Sequence, residues 1–169
     1  MSEEHPEGTG RERLENSTTI GEVLEVAMGF EATARDFYAS LAGRVSKPLR
    51  GLVQELAEEE KRHYQLFSDL RERPDVQEKI SEKIERPAND HRFSDYVQLP
   101  ELGDYPDDQS ILQYAMGREH AAMEQYGSLA EQAPAGPIQD LFRFLAIEEM
   151  EHKGELEKRW YELVYPSNV

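Results

Sequence analysis

The chain has 169 residues, 38% hydrophobic and 32% charged, which is enough apolar content for one folded domain and too much for a disordered chain. Its 35 acidic residues against 19 basic ones give a formal net charge of −16, which disfavours nucleic acid and anionic membranes as partners. The absence of cysteine excludes disulfides, iron–sulfur clusters and thiolate metal sites.

The first half of the chain is predicted to form a helical hairpin. Residues 1–17 are polar and carry neither a secretory signal nor a membrane span, so we expect a flexible tail on a cytoplasmic protein. Thr19 followed by Glu22 predicts the start of a helix. Apolar residues then recur in alternating steps of four and three up to residue 45, and again after Pro48, which predicts two helices joined by a short turn. This hairpin spans about residues 19–72.

A long connection, residues 73–108, separates this hairpin from a second one at about residues 109–165. Within the connection, Asp75 to Glu85 could form a short helix, and the rest is an extended stretch whose apolar residues we expect to lie against the helices. Short turns make neighbouring helices antiparallel, and a long crossover lets the second and third helices run parallel. The sequence therefore predicts an all-α four-helix bundle over residues 18–165, built from two antiparallel hairpins.

Polar residues interrupt the apolar pattern of each helix near its middle, where leucine would be expected. The six residues are Glu31, Glu60, His63, Glu119, Glu149 and His152. The two hairpins repeat each other in sequence, so that the first three of these residues align with the last three. Each glutamate lies at nearly the same distance from the turn of its hairpin, and each histidine follows a glutamate by three residues. We therefore expect all six side chains to meet in one layer at mid-bundle.

Four carboxylates in an apolar interior need compensating positive charge, because one unpaired buried charge costs several kcal/mol. We expect no lysine or arginine in the apolar pattern near that level, so internal salt bridges would not provide it. Two divalent metal ions and two neutral histidines would bring the sum to zero. Mixed carboxylate and imidazole ligands are typical of iron, manganese or zinc rather than calcium or magnesium. The alternative is an acidic bundle that binds no metal.

With these residues, the chain resembles the ferritin-like superfamily, specifically the rubrerythrin-like di-iron proteins, over roughly residues 18–165. The resemblance implies two iron ions, with Glu31 and Glu119 as terminal ligands on opposite irons, Glu60 and Glu149 bridging both, and a histidine completing each. Full-length rubrerythrins add a rubredoxin domain with cysteine ligands, which this chain lacks, so the electron donor is expected to be another molecule. They also place an additional glutamate where this chain has Ala122, and the remaining six-ligand set looks more like the bacterioferritin ferroxidase centre.

Two tyrosines, Tyr38 and Tyr126, follow the terminal glutamates by two helical turns on the same face. The function suggested for them, which the family supports, is a hydrogen bond to a metal-binding carboxylate of the opposite hairpin; the alternative is a core aromatic with any partner.

Several other residues are expected to lie outside the site. His120 is interpreted as exposed or interfacial, and His5 and His91 lack ligand spacing. The acidic residues beside the motifs are interpreted as surface charge, and the aromatic end of the last helix either packs under the crossover or forms a dimer surface. These two groups are Glu58, Glu59, Glu148 and Glu151, and Trp160, Tyr161, Val164 and Tyr165.

The leading functional hypothesis is an oxidoreductase whose two irons oxidise from Fe(II) while reducing H2O2 or O2. The alternatives are a ferroxidase serving iron storage and a di-iron oxygenase acting on an organic substrate. A homodimer or larger homo-oligomer is expected.

Overall fold

The structure, a computed structural model, describes residues 19–84, Leu102 and residues 107–167. The predicted N-terminal tail, His5, His91 and most of the crossover lie outside the described residues. So do four of the crossover residues expected to lie against the helices, Phe93, Tyr96, Val97 and Leu99. The helices are α1 (Ile20–Leu41), α2 (Lys47–Glu72), α3 (Pro74–Gln77), α4 (Asp108–Gln132) and α5 (Pro137–Val164). The all-α prediction is confirmed: the described part of the chain contains no strand, only an isolated bridge between Thr19 and Lys83.

The helix boundaries follow from local signals in the sequence. The Thr19 hydroxyl accepts a hydrogen bond from the Glu22 amide at 3.2 Å, which caps the start of α1 as predicted. Asp107 caps α4 in the same way, through the Ser110 amide. A proline occupies the first turn of α2 and of α5, where no amide is needed. Before α5, Gly136 adopts a φ of 132°, a conformation that side-chain-bearing residues rarely adopt.

The helix expected over Asp75 to Glu85 is shorter than predicted. It ends at Gln77, and the following turns direct carbonyl groups towards the start of α1. The Ile20 amide donates to the Glu82 carbonyl and the Gly21 amide to the Ile80 carbonyl, each at 2.9 Å. In a longer helix these carbonyls would accept hydrogen bonds from the helix itself. Here they accept them from the first amides of α1 instead.

Two apolar clusters fill the bundle, one towards each end. The first contains Leu24, Phe67 and Leu145, and the second contains Leu41, Leu56 and Leu156. Leu102, in the crossover, packs against the second cluster. The polar residues of the middle layer therefore lie between two dry regions, which keeps bulk water from reaching them along the bundle axis.

None of the described helices combines the length and the hydrophobicity that are needed to span a membrane.

Candidate metal centre

The structure brings all six predicted polar residues together at mid-bundle. Each of the four long helices supplies at least one of them, because the four-and-three spacing points every one towards the bundle axis. All are buried, with exposed fractions between 0% and 5%. Two groups of four ligand residues form, in which the ligand atoms lie within 4.8 Å of one another. The groups are Glu31, Glu60, His63 and Glu149, and Glu60, Glu119, Glu149 and His152.

Glu60 and Glu149 belong to both groups. Each of these carboxylates directs one oxygen towards His63 and the other towards His152. Glu60 directs Oε2 to Nδ1 of His63 at 3.6 Å and Oε1 to Nδ1 of His152 at 3.4 Å. Glu149 directs Oε1 to His63 Nδ1 at 3.0 Å and Oε2 to His152 Nδ1 at 3.6 Å. A carboxylate placed in this way can give one oxygen to each of two neighbouring metal ions.

Glu31 and Glu119 each present a single oxygen to the centre. The Oε2 atom of Glu31 lies 3.5 Å from His63 Nδ1, and that of Glu119 lies 3.6 Å from His152 Nδ1. The other oxygen of each accepts a hydrogen bond from a tyrosine of the opposite hairpin: Tyr126 donates to Glu31 Oε1, and Tyr38 donates to Glu119 Oε1. Both tyrosines are fully buried and make the hydrogen bonds expected of them, and metal binding by the two glutamates stays a prediction.

The two imidazole rings lie side by side, with ring centroids 5.6 Å apart and planes 12° from parallel. Their Nδ1 atoms face the carboxylates described above, and their Nε2 atoms face outward. His63 Nε2 lies 3.7 Å from Glu148 Oε2, and His152 Nε2 contacts Glu59 Oε2. A carboxylate that accepts the outer N–H of an imidazole fixes its tautomer and orients the inner nitrogen.

Glu59 and Glu148, interpreted from the sequence as surface charge, lie closer to the centre than expected. Both are half-buried, and each contacts a histidine of the opposite hairpin. The internal repeat could have indicated their position, because in both halves a glutamate directly precedes a candidate ligand glutamate. Glu58 and Glu151 are exposed, as expected.

Arg118 is a buried basic residue that the apolar pattern did not indicate. It is 1% exposed and directly precedes Glu119. Its guanidinium lies over the rings of Phe30 and Phe37, at 4.9 Å and 5.2 Å from their centroids, and such contacts allow an arginine to be buried. Because arginine stays charged, it also lowers the pKa of the buried Tyr38, against the larger effects that raise it.

Proton affinities at the centre are strongly perturbed by burial and by the crowding of carboxylates. Burial, reinforced by neighbouring carboxylates, raises the pKa of Glu31 and of Glu149 well above the usual value. Burial alone would lower the pKa of His63 and His152, but the facing carboxylates outweigh it and raise both. Burial and the adjacent glutamates raise the pKa of Tyr38 and Tyr126, so both hydroxyls keep the proton that they donate.

The residues fit a pair of divalent metal ions. Eight buried nitrogen and oxygen atoms of the six residues face the centre without a hydrogen bond of acceptable geometry, although His63 Nδ1 and Glu149 Oε1 lie 3.0 Å apart. Buried polar atoms without such hydrogen bonds are rare in folded proteins. These atoms are Glu31 Oε2, Glu119 Oε2, both carboxylate oxygens of Glu60 and of Glu149, and Nδ1 of His63 and of His152. They divide into two sets that share the same two carboxylates, which is the donor set of a two-metal site.

A groove between α2 and α5 leads from the surface to the histidines. Near His152 it widens to about 550 Å³, and five glutamates line that part, among them Glu59 and Glu148. Near His63 the volume of the groove is about 330 Å³, and its lining includes Leu66 and Phe144. The outer edge of the imidazole pair is therefore the side of the centre that lies nearest to solvent.

Other predicted features lie away from the centre. The His120 side chain is 44% exposed and pairs with Glu124 at 2.9 Å, which agrees with its expected position. Trp160 packs partly buried against the second apolar cluster, whereas Tyr161 and Tyr165 are exposed.

A protein family and a solved structure are similar to this chain. The sequence profile of the family described as Rubrerythrin matches residues 22–105, a range that holds Glu31, Glu60 and His63. A similar solved structure is described as "A Dodecameric Thioferritin in the Bacterial Domain, Characterization of the Bacterioferritin-Related Protein from Bacteroides fragilis". The two chains are 22% identical with a TM-score of 0.61, and the match covers 83% of each. At that identity the likeness shows the fold alone. A comparison with curated proteins finds no significant match.

Proposed function

Because the chain is a rubrerythrin-like protein with the ferritin-like fold, we propose that it binds two iron ions and passes electrons from Fe(II) to H2O2 or O2. The observation that carries the proposal is the set of eight buried donor atoms without such hydrogen bonds, shared between two groups of residues. Manganese or zinc would fit the same donors, and we place iron first because of the family.

The residues that would hold the metals follow from the direction of each donor atom. Glu31 and His63 would bind one ion, Glu119 and His152 the other, and Glu60 and Glu149 would bridge them. Four glutamates and two neutral histidines balance two divalent ions, so a loaded centre would bury no net charge among these groups.

Two bound Fe(II) ions would supply the two electrons that, together with two protons from solvent, reduce one molecule of H2O2 to two molecules of water. The chain's own residues prepare the place for this chemistry. The hydroxyls of Tyr38 and Tyr126 hold the outer oxygens of the terminal glutamates, so that only the inner oxygens are offered to the centre. Glu59 and Glu148 lie beside the outer nitrogens of the histidines, where they would favour a proton on that side and leave the inner nitrogens free for the ions. The apolar clusters above and below exclude water, which strengthens every electrostatic interaction at the centre.

The test is anaerobic loading with Fe(II), followed by stopped-flow mixing with H2O2. We expect two irons per chain and one peroxide consumed for every two irons. Glu60→Gln keeps the volume of the side chain but removes the bridging charge, so oxidation should slow at least tenfold. The matched control is Glu58→Gln, the same change at an exposed position of the same helix, which should behave as wild type. Wild-type rates in Glu60→Gln would exclude this site as the reaction centre.

The fold of the dodecameric thioferritin favours a second candidate, an iron-storing ferroxidase that forms a homo-oligomer. In that case a large excess of Fe(II) with O2 should leave far more than two irons per chain in a particle that co-elutes with the protein. An oxidoreductase without storage should retain about two irons per chain after desalting. Iron analysis of the eluted fraction separates the two candidates.

A further inference from the structure

The outward face of α5 carries an apolar band that the bundle does not use. Phe144, Ile147 and Met150 follow one another at intervals of three residues, so they form a continuous strip on the helix surface. Their exposed fractions are 46%, 54% and 53%. Leu66, 39% exposed, adjoins the band from α2 across the groove that it lines together with Phe144. We call these three residues of α5 the outer band.

The internal repeat provides a comparison within the same molecule. The positions of α2 that align with the outer band are occupied by Glu55, Glu58 and Lys61, and all three are exposed. The two helices occupy equivalent places in the bundle, yet this part of the outer surface is charged on α2 and apolar on α5. Since α2 has no apolar residues at these positions, the bundle does not require them for folding. The outer band is therefore better explained by a contact with something outside the bundle.

The size of the band suits the centre of a protein interface. At about 200 Å² for a large apolar side chain in full contact with water, the band and Leu66 expose on the order of 400 Å². Apolar patches of that size on soluble proteins are often functional, and a standard interface takes about 800 Å² from each partner. The band would supply the apolar half of the surface that each copy buries, and the charged residues at its borders would supply the other half.

The charges beside the band indicate which partner fits. Arg143 precedes Ile147 by four residues and Glu151 follows it by four, and both are exposed. A second copy packed antiparallel about Ile147 brings Arg143 of each copy to the end of the band where the other copy has Glu151. A band bordered by both signs complements a rotated copy of itself, whereas the net charge of −16 would otherwise keep two copies apart.

We propose that the outer band of α5 is a two-fold contact between two copies of this chain. The inference rests on the homo-oligomer included in the proposed function, and it names the surface through which two copies meet. Neither of its tests involves metal binding. Its failure would therefore leave the metal centre, and oligomers built through other surfaces, untouched.

The first experiment is cysteine cross-linking, which is clean because the chain has no cysteine of its own. In Ile147→Cys, the two thiols lie next to the two-fold axis, so mild oxidation at micromolar concentration should give a disulfide-linked dimer. The matched control is Glu58→Cys, the aligned position on α2. We expect dimer formation at least tenfold faster for Ile147→Cys. Equal rates in the two variants, or no dimer in either, would overturn the proposal.

The second experiment gives α5 the surface of α2. The triple variant Phe144→Glu, Ile147→Glu, Met150→Lys should fold as wild type, because every change is at an exposed helical position. Sedimentation equilibrium should show its mass at half the wild-type value or less. Gln54→Glu, exposed on α2, changes the net charge by the same one unit and should keep the wild-type mass. A monomeric wild type or an unchanged mass of the triple variant would refute the contact. A lower melting temperature at unchanged mass would mean that another part of the chain covers the band, and would refute it as well.

Discussion

Metal binding at this centre should release protons, because the metal-free residues hold protons where the ions would bind. The carboxylates that face His63 and His152 raise the pKa of both, so each imidazole is charged near neutral pH. Burial also raises the pKa of Glu31 and Glu149, which makes these carboxyl groups easier to protonate than ordinary ones. Binding two ions needs both imidazoles neutral and every carboxyl group ionised, which predicts at least two protons released per chain.

The sign of the pH dependence follows from these directions. Since a raised pKa means that a proton must be displaced, metal affinity increases with pH through the range where the two imidazoles are protonated. Each proton contributes about 1.4 kcal/mol per pH unit, so two ions together lose at least about 3 kcal/mol per unit as the pH falls. This corresponds to roughly tenfold in affinity for each ion.

Zn(II), which undergoes no redox reaction, is the probe for this prediction. Calorimetric titration at pH 6.5 in buffers of different ionisation enthalpy gives the number of protons released. His120→Gln, which removes an imidazole outside the centre, should leave that number unchanged. Release of fewer than about two protons per chain would refute the reasoning, because the histidines alone account for two.

Three further predictions follow from named contacts. Tyr38→Phe removes the donor to Glu119 and should weaken Zn(II) binding about tenfold in a chelator competition, since a hydrogen bond to a charged group contributes about 1.5–3 kcal/mol; an unchanged Kd would contradict this. Glu59→Gln should lower Co(II) affinity about 10–100-fold and alter the visible Co(II) spectrum, whereas the exposed neighbour Glu58→Gln should do neither. Leu145→Ala, at a fully buried position, should cost about 2–5 kcal/mol and lower the melting temperature by roughly 5–15 °C in calorimetry; a shift of under 2 °C would show that the site repacks.

The fold could be predicted because hydrophobic spacing alone decides which face of each helix is buried. The alternation of four and three residues marked the buried faces of all four long helices, and short turns at each hairpin left one antiparallel arrangement. The same spacing predicted that Glu31 and Glu119 would meet the other site residues. Their gathering follows from helix phase and from distance to the turn, and metal binding by them stays a prediction.

Residues at the margins of the buried faces could not be assigned from spacing. Glu59 and Glu148 lie one residue before a buried position, and whether such a side chain reaches the centre depends on how far α2 and α5 separate. Arg118 is adjacent to a buried position too. Its burial depends on Phe30 and Phe37 from another helix, and that contact exists only after the helices have packed.

The contacts around the centre cross from one hairpin to the other: Tyr38 to Glu119, Tyr126 to Glu31, and each histidine to a glutamate of the opposite half. Neither hairpin alone therefore holds all of these contacts. If the centre binds two ions as proposed, separation of the halves would remove donors from both in the same event, so the two ions would be lost together rather than one after the other. The resistance of the loaded protein to chelators would then measure how firmly its two halves are docked.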